Sequence, residues 1–112
     1  MLNGIFKITF RGSADWGMGI LILKDGIVTG ADVGGIKYDG KYKENKNCIE
    51  INLELTVPPG ATLVMGTPPQ SKEYTIPIIL SVNKKDIEKN ETILLELPQG
   101  PVNVIFNCLR NL

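Results

Sequence analysis

The side chains in this chain that could do chemistry are few: Cys48 and Cys108, the aspartates at 25 and 32, a glycine pair at 17 and 19, and the aromatics Trp16, Tyr38 and Tyr42. There is no histidine, which takes away the commonest general base, the usual nucleophile triads and most zinc sites. Cys48 has no activating base near it in sequence and reads as a surface thiol. Asp25 precedes a glycine and reads as a turn residue; Asp32 has no carboxylate partner for acid–base work and reads as a turn cap. Gly17-Met-Gly19 lacks the third glycine and the following helix of a dinucleotide-binding loop. No catalytic, metal-binding or cofactor-binding set emerges, and a non-enzymatic role is the expectation.

Charge narrows the partners. Twelve basic and twelve acidic side chains cancel, which argues against direct nucleic-acid binding, where an excess of Lys and Arg is needed. Lys37, Lys41, Lys43 and Lys46 are interleaved with Asp39, Glu44, Glu50 and Glu54, so they read as a paired, solvated face. The longest apolar run, Gly19 to Leu23, is far short of the ~20 residues of a membrane span. The first residues lack the pattern of a signal peptide. A single domain over residues 1–112, without membrane association and in the cytoplasm, is expected.

The elements that must position these residues are strands. Leu2 to Arg11 alternates, with Leu2, Phe6, Ile8 and Phe10 on one face. Gly17 to Lys24 and Ile27 to Asp32 flank Asp25-Gly26, a strong type I′ hairpin signal. Gly17 and Gly19 suggest a sharp bend or close backbone approach. Ile36 to Lys43 places Ile36, Tyr38, Gly40 and Tyr42 inward. Cys48 to Val57 answers it, with Lys41 expected opposite Glu50 and Lys37 opposite Glu54 across a tight turn at 44–47. Residues 61–66 suggest a short strand. Tyr74 to Val82 contains Pro77, which cannot donate to a ladder and so implies an edge or a bulge. Residues 83–91 carry no apolar stripe and read as an exposed loop. Thr92 to Leu97 and Val102 to Arg110 form a last hairpin.

Alternation places Cys48 on the polar face of its strand and Cys108 on the buried face, so the two thiols should stay unpaired. Roughly six to nine short strands with Gly/Pro turns mean an all-β barrel or sandwich. In the second strand Met18, Ile20 and Ile22 stand opposite a second apolar set. That strand is therefore either covered by the chain's own loops or part of a homodimer interface.

Gly4-Ile-Phe6, Phe10, Gly17-x-Gly-Ile-Leu-Ile22 with Lys24-Asp-Gly26, Val28-Thr-Gly-Ala-Asp32 and Tyr38-x-Gly40 follow one another in an order and spacing that resemble the GrlR-like family. The resemblance covers about the first third of the chain. It implies an antiparallel eight-stranded, lipocalin-like β-barrel with an apolar interior, and a dimer. It also implies a negative regulator of type III secretion that binds a helix-turn-helix transcription activator through an acidic run. The matching stretch here, Lys43-Glu44-Asn45-Lys46-Asn47, has mixed charge. A carrier is the alternative, with Phe6, Phe10, Tyr38, Tyr42 and Phe106 lining a cavity for an apolar, lipid-like ligand.

Overall fold

The computed structural model describes residues 2–112. Eight antiparallel strands form one sheet: β1 (Gly4–Arg11), β2 (Trp16–Lys24), β3 (Ile27–Asp32), β4 (Lys37–Glu44), β5 (Cys48–Val57), β6 (Tyr74–Asn83), β7 (Ile93–Leu97) and β8 (Gly100–Asn111). A single helical turn, α1 (Lys84–Glu88), joins β6 to β7. The strand order is β6-β5-β4-β3-β2-β1-β8-β7, a meander whose first strand pairs with its last. Laid flat, eight strands would span roughly 34 Å at the ordinary inter-strand spacing. The two shorter dimensions of the molecule are 24 and 23 Å, so the sheet is curled into a barrel. It is nearly closed: β6 and β7 touch but form no ladder, leaving one seam.

Period-two alternation builds the interior. Phe6 and Ile8 from β1, Leu21 and Leu23 from β2, Ile49 and Ile51 from β5, and Val102, Val104 and Phe106 from β8 are all buried. Asp25 and Gly26 both take positive φ (49° and 86°), as a type I′ turn requires. At Gly19 the β3 backbone approaches closely: a Cβ there would lie 2.5 Å from the Ala31 carbonyl oxygen. At Gly40, facing inward between β3 and β5, a Cβ would collide with the Asn52 carbonyl. Pro77 lies in β6, an edge of the sheet, where a residue without an N–H is tolerated.

Four local expectations are corrected. Residues 61–66 form turns within a long β5–β6 connection, not a strand. The 83–91 segment is not wholly an exposed loop. Asn83 caps α1 by accepting from the Lys85 N–H (2.9 Å), and Ile87 is buried; one apolar residue in nine makes no periodicity to read. The β4–β5 register is offset by two residues: Lys43 faces Glu50, and Lys41 faces Asn52. Asn45 N–H bonds to the Cys48 carbonyl (2.8 Å), so the turn is Lys46-Asn47, tighter than the charge pairing suggested. An even offset keeps every side chain on its expected face. Cys108 is exposed rather than buried. It keeps Phe106's phase and pairs with Phe6 of β1, but β7 pairs with β8 only as far as Val104, so on that side the sheet has ended beside Cys108.

Gly40→Ala should lower unfolding stability by about 1–3 kcal/mol, the usual cost of forcing atoms into a closely packed site. Urea denaturation would show it, and an unchanged midpoint would mean the strands are not in this close approach.

Candidate functional site

The two ends of the barrel differ. At one end the turns are tied to the N-terminal segment by side chains. Asn3 Nδ2 donates to Asp25 Oδ1 (3.1 Å), and Asp25 N–H donates to Asn3 Oδ1 (3.0 Å). The Tyr42 hydroxyl lies 2.7 Å from both the Leu2 carbonyl oxygen and Asn3 Oδ1. Beneath these contacts Phe6, Leu23, Val28, Ile49 and Val82 are fully buried, so this end is packed solid.

The other end holds a cavity of about 300 Å³. The β5–β6 connection folds across it, with Leu63 buried. Its Val64 carbonyl accepts from Ala14 N–H (2.9 Å) and Asp15 N–H (3.1 Å), which fastens it to the β1–β2 corner. The walls are apolar: Leu53 and Leu55 from β5, Leu80 from β6, and Leu95 and Leu97 from β7 all point inward yet are only half-buried, because they face open space. At the rim Trp16 and Val33 are 62% and 76% exposed.

Of the expected lining residues, Phe10, Tyr38 and Phe106 do line the cavity, whereas Phe6 and Tyr42 do not. Phe6 meets Phe106 edge to face (centroids 6.1 Å apart, 79° between planes) on the side of the solid end. Tyr42 points toward the same end, into the Leu2–Asn3 contacts. Both share an inward face with true lining residues, and only their position along the strand separates them.

Asp32 is the polar centre of the rim. Its Oδ1 accepts from Gly34 N–H (2.9 Å) and Ile36 N–H (3.2 Å), shaping the β3–β4 turn, and its Oδ2 accepts from the Tyr38 hydroxyl at 2.5 Å. The turn-capping reading of Asp32 therefore holds. Its position at the cavity was beyond sequence reasoning, since no local pattern says where a turn sits on a closed barrel. Burial, reinforced by the Asp32 carboxylate, holds the Tyr38 phenol far above its ordinary pKa, so it stays a neutral donor. No cluster of three or more Cys, Asp or Glu side chains suited to a metal ion occurs among the described residues.

The 43–47 stretch lies at the solid end. Lys43, Asn45 and Lys46 are exposed, but Glu44 Oε1 pairs with Lys84 Nζ (3.0 Å) and its Oε2 accepts from Leu2 N–H (2.9 Å). The Asn47 carbonyl accepts from Lys84 N–H (2.9 Å). Met18, Ile20 and Ile22 stand on the outer face of β2: Ile20 is 40% exposed and the other two are half-buried.

No family model, curated protein or solved structure matches this chain.

The Glu44 contacts make a pH prediction. The hydrogen bond from Lys84, then that from Leu2 N–H, outweigh desolvation and hold the Glu44 carboxyl below the ordinary glutamate range. Such a group adds stability that is complete above its unfolded pKa of about 4.3 and is lost as pH falls through the lower folded value. Urea midpoints should therefore drop on acidification below about pH 4.5. Glu44→Gln should be less stable near neutrality and converge with the parent in acid. Parallel pH profiles would contradict the contact.

Proposed function

We propose that this protein is a non-enzymatic binding protein that takes one small apolar ligand inside its barrel. The observation carrying this reading is the apolar cavity of about 300 Å³ beneath the β5–β6 connection. That volume lies at the lower end of ordinary ligand sites, and eight strands make a barrel just wide enough for one small guest. At a water's share of roughly 30 Å³, it holds about ten atoms of methylene size. Asp32 holds the β3–β4 turn through Oδ1 and accepts from the Tyr38 hydroxyl through Oδ2, structural roles that favour binding over catalysis. The regulator role implied by the GrlR-like resemblance rests on residues 43–47. There Glu44 and Asn47 already serve contacts within the chain, so the cavity carries the proposal.

A second observation favours self-association. On the outer face Ile22 lies opposite Ile5 and Ile20 opposite Ala31, giving a small apolar patch centred on β2 and bordered on β1 by Lys7 and Thr9. A homodimer through Met18, Ile20 and Ile22 would cover it, and the absence of net charge sets no barrier.

Trp16 is the chain's one tryptophan and lies at the cavity rim, so its emission reports occupancy. Titration with n-octanol should give a saturable change in Trp16 fluorescence and a one-to-one adduct by native mass spectrometry. Filling the space with Leu55→Phe and Leu80→Phe together should abolish both. Emission indifferent to octanol, or binding that survives the filled variant, would overturn the reading. For the dimer, light scattering at micromolar concentration should give twice the 12.3 kDa chain mass, and Ile20→Lys should halve it. A single chain mass for the parent protein would refute it.

A further inference from the structure

The cavity also carries information about the charge of its ligand. Among its described lining residues the ionisable side chains are Asp15, Asp32 and Tyr38, with no lysine or arginine. Arg11 pairs opposite Trp16 in the β1–β2 ladder but does not line the cavity. The rim is thus acidic and aromatic above an apolar well. A carboxylate entering head-up would meet two like charges and no donor side chain stronger than a hydroxyl; entering head-down, it would be desolvated among leucines and phenylalanines. A cationic head meets the opposite situation. The Asp32 carboxylate offers about four acceptor sites, three of them taken by Gly34 N–H, Ile36 N–H and the Tyr38 hydroxyl, which leaves capacity on Oδ2. Asp15 supplies a second carboxylate, its Oδ1 accepting from Trp16 N–H (2.8 Å). Trp16 lies at the rim, its side chain in phase with the outer face of β2 and opposite Arg11, so the two carboxylates carry the charge argument.

We propose that the cavity selects an apolar ligand bearing a primary amine or similar cation over one bearing a carboxylate, with the chain in the well and the charged head at the Asp15–Trp16–Asp32 rim. This rests on the reading of the cavity as a ligand site and names the class of ligand. A neutral alcohol of equal length falls between the two.

Octylamine, n-octanol and octanoate, each below its micelle concentration at pH 7, separate the two claims. Following Trp16 emission and melting temperature, the expected order is octylamine tightest, octanol weaker, and octanoate at least tenfold weaker than octylamine. The amine's advantage should shrink in high salt. It should also fall in Asp15→Asn, an exposed site where the fold is not at risk, and in Asp32→Asn, which keeps the Oδ1 acceptor of the turn. Octanol binding with octylamine and octanoate equal would overturn the charge selection and leave the cavity reading standing. Octanoate binding tightest, or an amine preference unchanged in both variants, would overturn it equally. If none of the three binds, both claims fail.

Discussion

Antiparallel pairing runs without a break from β6 round the barrel to β7, and the ladder that is missing between those two strands shapes the rest of the molecule. A closed ladder would draw the inner faces of β6 and β7 together and fill the space between them. Pro77 leaves β6 without one donor, and β7 is only five residues long. Closure is completed by other means. At the solid end α1 lies against β8 and β6 with Ile87 buried; at the other, the β5–β6 connection crosses the mouth and fastens to the β1–β2 corner. Between them the inner leucines of β5, β6 and β7 are left with open space in front of them.

That arrangement separates two tasks along one barrel axis. The end with the Asp25-Gly26 and Lys46-Asn47 turns is cross-linked by Asn3, Tyr42, Glu44 and Lys84, and it holds the most deeply buried side chains. The end with Asp15, Trp16 and Asp32 keeps the cavity. Asp32 joins structure to chemistry: the hydrogen bonds that shape the β3–β4 turn also hold its carboxylate at the rim, and the Tyr38 hydroxyl steadies it from inside.

Side-chain period made the sheet legible: the inward and outward sets of β1, β4 and β5 follow from alternation, and Asp25-Gly26 and Pro77 each declare their role by backbone chemistry. What alternation cannot express is position along the barrel axis. Phe6 and Phe10 share a face, yet one is packed solid and the other borders open space. The tight Lys46-Asn47 turn sets the β4–β5 register, because Lys–Glu pairs worth tenths of a kcal/mol are weaker determinants. The burial of Ile87 depends on α1 packing against β8 and β6, which no local pattern expresses. Cys108 is exposed because its sheet partner on one side runs out. Each of these is set by how the sheet closes, which involves residues far apart in the chain.

The interior near Phe10, Leu53, Leu80 and Phe106 is open and apolar rather than collapsed. Apolar cavities of this kind admit xenon. A crystal of the protein pressurised with xenon should show an ordered xenon atom within that lining, with the surrounding side chains where they stand here. Leucine side chains collapsed into the space, with no xenon inside the barrel, would contradict the account.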